Sequence, residues 1–450
     1  MKRALIISCM LCGVASAHVG SPDVFFDGHA GPYELFVTIR MPKVIPGVAQ
    51  IEIRASSPDV ASIEVQPLRL TGPGSERPPT ADPAERAPAD PQFFTASSWL
   101  MERGSMQVRI TAHGARGNGV LGVPVPAIAQ TTLGMSAGLG ALLISLMIVL
   151  AVSLVAIVVA AKREATLAPG EPARPRGRIT LVVVSAMVIG VIALGRMWWS
   201  AVATDYAQLV YTPWQVEPKL DGCTLSITTR DDFALLPDHG HDMHLFLVRM
   251  PELDRLAHLH PERRDHTLTQ HLPSLPAGHY KLYADIVLRS GFPLTGTADV
   301  DLPELQCGAP SGDDTVWSSA DSAHVIWDRP ARLRADVALP LAFHVEPGDG
   351  LEPYMGMVAH AEVIKTDGSV FAHLHPNGSV AMPALELADT STGAPSMAMA
   401  MSGMPGMAAM SPKFTIPFGF PQPGDYRVFV QIKRNGAIET ASFEAHVDSP

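Results

Sequence analysis

Residues 131 to 161 carry no charged side chain. A helix crosses the hydrocarbon core of a bilayer in roughly 20 residues, and a helix is one of only two structures that satisfy their own backbone there. A second uncharged run, 179 to 195, reaches spanning length if Arg196 snorkels and Trp198 and Trp199 sit in the interfacial aromatic belt. The competing reading of either run is a buried core helix. We therefore expect transmembrane helix 1 over 131–161 and transmembrane helix 2 over 179–199. The loop between them, 162–178, holds five basic residues against two acidic ones. A short basic loop belongs on the cytoplasmic side, so the parts before and after the two spans are expected to face outward.

The amino terminus agrees with that topology. Lys2 and Arg3 precede the apolar run ALIISCMLCGV, and Ala15, Ser16 and Ala17 form an A-x-A cleavage site. We read 1–17 as a signal peptide, which makes His18 the mature amino terminus. Cys9 and Cys12 would leave with it. Cys223 and Cys307 would remain, and two cysteines in an exported chain are most simply a disulfide, the alternative being two inert thiols. A net charge of −11 argues against nucleic acid as a partner.

The outward parts read as mainly β. Pro and Gly, 40 and 37 of them, favour short strands and turns over long soluble helices. Segments such as YELFVTIRM, AQIEIRAS and MQVRITAH run or alternate in apolar and β-branched residues between turn signals. We expect three immunoglobulin-like antiparallel β-sandwich domains: 18–128, 215–308 and 320–448. Residues 72–92, rich in Pro, Ala and charge, read as a long exposed loop.

The last two domains repeat each other. HLFLVRMPELDRLAHLHP begins at His244 and HAEVIKTDGSVFAHLHP at His360, and each is followed by a similar strand pair, PAGHYKLYADIVLRSG and QPGDYRVFVQIKRNG. Duplication preserves core positions, but it need not preserve histidines. Alternate residues of a strand share a face, so His258 and His260 stand side by side with Leu259 turned into the core, and His373 and His375 likewise around Leu374. Side chains about 6 to 7 Å apart at their bases can converge on one ion at about 2.0 to 2.1 Å from each nitrogen. An upstream histidine on a neighbouring strand, His244 or His360, supplies a third ligand. The alternative is solvent-facing strand histidines. His239 and His241, in DHGHDMH, form a capture tail beside the first triad or a polar turn. His18, if mature, offers an amine and an imidazole to one ion, with His29 to complete the set; otherwise it is a frayed terminus.

Imidazole suits zinc, copper and nickel. The second copy carries an insertion, 397–410, reading MAMAMSGMPGMAAM, in which Met401, Met404, Met407 and Met410 recur every third residue. Thioether sulfur selects Cu(I). Copper is thus the expected ion and zinc the alternative, while the insertion can also be read as a low-complexity loop or an oily contact surface.

The opening HVGSPDVFFDGHAGPYELFVTIRMPKVIPG and the two later H…HLHP…GxY domains resemble YtkA-like modules, immunoglobulin-type sandwiches of bacterial exported proteins linked with the CopC-type periplasmic copper proteins. The resemblance implies a Cu(II)-ligand role for His18. The Asp-x-His pair of that family lies late in its domain, whereas Asp27-Gly28-His29 lies early here. Residues and resemblance together point to a membrane-anchored copper-binding protein of a bacterial inner membrane, with both large domains facing the periplasm or cell exterior, serving copper tolerance, delivery or storage. Its partners would be the membrane, a metal ion and another periplasmic copper protein or oxidase. Two other readings stand beside it: a metal-dependent exported enzyme, either copper oxidase or zinc hydrolase, and a structural or sensory ectodomain without metal. No partnered general base, nucleophile motif or phosphate-binding loop supports the enzyme.

Overall fold

The computed structural model describes residues 22–164, 167–172, 177–230, 233–392 and 410–450. Among the described residues strands make up 48% and helices 17%, so the fold is mainly β. Two compact units result: Met1–Ile128 with Thr212–Pro450, and Ala129–Tyr211.

The smaller unit holds two helices, α1 (Ala137–Glu164) and α2 (Gly177–Gln208), each long and apolar enough to cross a membrane. The first six residues of the expected first span, 131–136, precede α1. Ser136 explains the start, because its Oγ accepts the backbone N–H of Leu139 at 3.4 Å. At the other end Lys162 and Arg163 occupy the last turn, where a helix C-terminus favours cations. α2 continues nine residues past the expected boundary at 199, because AVATDYAQ contains no helix breaker.

In the larger unit, the N-terminal part has a five-stranded sheet in the order Val24–Ala30, Tyr33–Arg40, Gly47–Ala55, Asp90–Leu100, Glu85–Ala87. A four-stranded sheet runs Asp82–Pro83, Val60–Arg69, Gly104–Gly114, Gly117–Ala127. Strict alternation along Gly47–Ala55 turns Ala49, Ile51 and Ile53 inward. The stretch expected as a loop remains largely exposed, yet it contributes two short edge strands, Asp82–Pro83 and Glu85–Ala87. Pro83 is tolerated there because an edge strand has N–H positions that need no partner.

Residues 214–318 form a seven-stranded sheet in the order Trp214–Gln215, Pro293–Leu302, Gly278–Leu288, His244–Arg249, Arg255–Leu259, Thr315–Ser318, with Leu235–Leu236 on Gly278–Leu288. A four-stranded sheet of Pro218–Asp221, Thr224–Thr228, Thr267–His271 and Glu262–Arg264 belongs to the same repeat. Cys223 and Cys307 form a disulfide with Cα atoms 5.9 Å apart. Residues 325–448 form a six-stranded sheet in which Gly424–Arg434, His360–Lys365 and Phe371–Leu374 are neighbours, beside a three-stranded sheet of Val325–Trp327, Ala338–Val345 and Lys413–Gly419. A helix not expected from the sequence, α3 (Met382–Thr392), packs Ala384 and Ala388 on Leu70 of the N-terminal part.

The large sheets of the two repeats are buried on both faces, which is why His244–Arg249 and His360–Lys365 are buried almost throughout instead of alternating. One face packs on its own repeat: Ala361, Val363, Ala372 and Leu374 join the second repeat's core. The other face packs on the opposite repeat. Phe246, Val248, Leu256, Tyr283 and Trp317 from the first meet Ile364, Phe371 and Phe429 from the second. Tyr283 and Phe371 stack at 4.2 Å, and Trp317 meets Phe429 edge-on at 5.0 Å.

Candidate metal centre

Along that inter-repeat face the chemistry changes within two residues. Starting from the apolar end, the shared face reads Val248, Phe246, His244 on one strand and Leu256, His258, His260 on its neighbour. In the second repeat it reads Ile364, Glu362, His360 and Phe371, His373, His375. Period-two projection therefore gathers imidazoles at one end of a sheet-on-sheet interface.

His244, His258 and His260 form one triad, with one ring nitrogen from each lying within 4.8 Å of the others; His239, His360 and His375 form a second. The first triad is the expected one. The second differs from the expected His360, His373 and His375, because His239 crosses from the first repeat to complete it. The capture tail accordingly splits. His239 meets His360 and His375 at ring distances of 5.1 and 4.9 Å, while His241 stacks on His260 at 4.0 Å. His29 is exposed on Val24–Ala30 opposite Glu34 and belongs to neither triad. His18, Met401, Met404 and Met407 lie outside the described residues; Met410 is partly buried just before the strand Lys413–Gly419.

Two neutral imidazoles cannot make hydrogen bonds of all three close contacts of His244 and His258. His244 Nε2 faces the Asp238 carbonyl at 3.2 Å, and His258 Nδ1 faces Gln431 Oε1 at 2.7 Å. The Gln431 amide is turned that way because its Nε2 donates to Thr315 and Thr440 hydroxyls at 2.8 and 3.2 Å. Both acceptors are oxygens, so these contacts are both hydrogen bonds only when both of those ring nitrogens carry the proton, and a neutral imidazole carries only one. His244 Nδ1 and His258 Nε2 are left as bare lone pairs facing each other at 3.0 Å. Two donors about 2.0–2.1 Å from one ion and roughly at right angles lie about 3 Å apart. A cation between them removes the conflict.

Protonation does not remove it cheaply. Burial, then neighbouring imidazoles, holds His244, His258, His360 and His375 well below the usual histidine range. Burial and His373 push His239 down to about 4. Neutral imidazole is the ligand form. The second triad has its own deficit: among the described residues, neither ring nitrogen of the fully buried His360 has a hydrogen-bond partner, and outside that triad His260 Nε2 and His373 Nε2 lack one too. Orphaned buried polar atoms are rare in native proteins, and the donor set here fits a borderline transition metal.

The remaining partners orient the rings across the interface. His260 Nδ1 meets Asp314 Oδ1 at 3.1 Å. His258 of the first repeat bonds Gln431 of the second, and His373 of the second faces Asp285 Oδ2 of the first at 3.4 Å. Asp285 and Gln431 occupy matching places, in register with His244 and His360 respectively. Such oxygen partners to ligand histidines fix ring orientation.

Two features were not apparent from the HLHP repeat. Glu362, fully buried, takes the place that Phe246 holds in the first repeat; it stands 3.7 Å from His258 Nδ1, and burial pushes its carboxyl up to about 8. The turns before the two triads also correspond. Asp238-His239-Gly240-His241 and Tyr354-Met355-Gly356-Met357 each close through a bridge between first and fourth residues. His239 and Met355 have φ of 51° and 48°, and Gly240 and Gly356 have 86° and 81°. One turn thus offers imidazoles where its counterpart offers thioethers, a correspondence visible in LLPDHGHDMH against LEPYMGMVAH.

Comparison with known proteins adds a boundary and no chemistry. A domain of unknown function, DUF8832, matches residues 318–449, the second repeat. No curated protein matches the chain. An engineered protein is 19% identical over 20% of this chain and 19% of its own, with a TM-score of 0.17. The ICAM-5 D1–D4 ectodomain fragment is 11% identical over 92% and 77%, at 0.15. A bacterial ice-binding adhesin is 7% identical over 92% and 99%, at 0.16. Likeness at these TM-scores carries no argument about fold or function.

Proposed function

We propose that this chain is a membrane-anchored metal-binding protein whose histidine nest, built between its two repeats on the outward side of a bacterial inner membrane, holds copper, with zinc as the alternative. The observation that carries the reading is the facing pair of lone pairs on His244 Nδ1 and His258 Nε2 at 3.0 Å, each with its far nitrogen committed to an acceptor oxygen. His244, His258 and His260 would hold one ion, and His239, His360 and His375 a second. Asp314 and Gln431 would keep the rings oriented. The ion supplies the positive charge that lets these buried nitrogens exist without protons.

Copper rests on the thioethers that accompany the imidazoles, Met355 and Met357 in the matching turn and the methionines of 397–410, since soft sulfur favours Cu(I). Burial supports holding and passing an ion, hence tolerance, delivery or storage with another periplasmic copper protein or oxidase as recipient. The test is competition titration of the full-length protein in detergent with Cu(I), Cu(II) and Zn(II), beside a variant with His258, His260, His373 and His375 changed to alanine. Tight copper binding that the variant loses supports the proposal. Equal binding by both proteins sinks it.

A further inference from the structure

Seven of the eight imidazoles in the nest have an assigned place: three in each triad, and His241 stacked on His260. His373 is the eighth. By repeat position it corresponds to His258, yet His239 takes the second triad's third place. His373 nevertheless lies between the triads. Its ring is 5.0 Å from His244 and 5.7 Å from His258 on one side, and 4.7 Å from His375 and 5.7 Å from His360 on the other. Its Nδ1 faces the Asp285 carboxylate, an acceptor, at 3.4 Å, so the proton sits there. Its Nε2 is a bare, buried lone pair without a hydrogen-bond partner among the described residues.

The triads themselves are close: His239 of one and His244 of the other have rings 6.2 Å apart. Two ions held by these triads would share one desolvated compartment. Two separate cation charges there would repel strongly at low dielectric, and the neighbouring buried carboxyls Glu362 and Asp238 are the groups placed to offset them.

We infer that the nest is a single two-ion centre, with the Nε2 of His373 as a ligand that can pass between two adjacent copper ions. The inference rests on the metal-binding reading above and adds to it the count, the proximity and the role of one residue. It also explains a feature that independent sites would not: the orienting bonds run crosswise, His258 to Gln431 and His373 to Asp285, so neither repeat completes its half of the centre alone.

The test is stepwise loading of the full-length protein in detergent with Cu(II), read by equilibrium dialysis and electron paramagnetic resonance. The expected result is two tight equivalents. The first gives an isolated copper spectrum, and the second brings dipolar broadening, a half-field transition and integrated intensity below the copper present. In H373A the second equivalent should weaken by at least about 10- to 100-fold, since losing a group that merely orients a metal ligand already costs that much. H239N is a milder variant, because Asn tolerates the positive φ of that turn. It should keep the first equivalent and lose the coupled signal. Two equivalents with full, uncoupled intensity would overturn the two-ion centre, as would a single tight equivalent; both results leave the metal-binding reading standing. Absence of any tight binding would overturn that reading and this inference together.

Discussion

Lowering the pH of the metal-free protein should reveal the buried imidazoles as a stability maximum followed by a steep fall. Five deeply buried histidines, His239, His244, His258, His360 and His375, have folded-state values below the ordinary 6.5, while half-buried His241 is lowered as well and is offset by Asp27, raised to about 6. A depressed histidine contributes stability that is present above its unfolded pKa and lost as pH falls towards its folded pKa. Each costs about 1.4 kcal/mol per pH unit once the unfolded state binds the proton and the native state does not. Two carboxyls oppose them. Asp238 and Glu362, both pushed up to about 8 by burial, remain protonated in the native state while ionised in the unfolded one. Their penalty relaxes as pH drops from about 8 towards the ordinary carboxylate range. Above about pH 7 the histidines are neutral in both states and the two carboxyls alone lower stability, by about 1.4 kcal/mol each per pH unit up to about pH 8, so the maximum falls near pH 6.5–7. Below it the five outweigh the two, and stability should fall by about 2 kcal/mol to pH 5.5 and keep falling towards pH 4.5. Urea unfolding of metal-stripped protein, followed by circular dichroism across that range, measures the curve. Stability that stays level or rises from pH 6.5 to 4.5 would refute the assignment of neutral, buried imidazoles.

Other perturbations separate the parts of the account. E362Q keeps the volume but removes the ionisable group, and should raise metal-free stability at pH 7.5 by about 2–3 kcal/mol in urea unfolding; no gain would mean that the carboxyl is not desolvated as described. F371A removes the ring stacked on Tyr283 and should cost about 3–5 kcal/mol while also weakening metal binding, because the interface that encloses the nest loosens; retained affinity in isothermal titration would separate the nest from that packing. Reducing Cys223–Cys307, which closes a separation of 84 residues, should cost about 4–5 kcal/mol in thermal or denaturant unfolding on the chain-entropy account. An unchanged midpoint would count against that bond as a staple of the first repeat.

What could be read in the sequence follows from period. HLHP repeats with a spacing of two, which fixes His258 with His260 and His373 with His375 on one face, and Leu259 and Leu374 are fully buried on the other. The uncharged runs likewise mark α1 and α2, with boundaries displaced because Ser136 caps the first and no breaker stops the second at 199. The partner of that histidine face is not legible in the sequence. Nothing local in LAHLHP or FAHLHP says whether the imidazoles meet water or a second sheet. The near-continuous burial of HLFLVR does carry that information, since a strand buried on both faces loses its alternation. His239 groups with His360 and His375 although its turn precedes the first repeat in the chain, a long-range choice made by packing. Glu362 reads in HAEVIK as an ordinary solvent-facing strand residue. Only alignment with HLFLVR, where Phe246 holds its place, shows that a carboxyl has been substituted into a core position.

X-ray absorption at the metal edge of copper- or zinc-loaded full-length protein tests the central claim most directly, because it reports the atoms bound to the ion. The account predicts a nitrogen first shell at about 2.0–2.1 Å with the outer-shell scattering of several imidazoles, and loss of that scattering when His258, His260, His373 and His375 are replaced by alanine. A first shell of oxygen, or an unchanged spectrum in the variant, would contradict it.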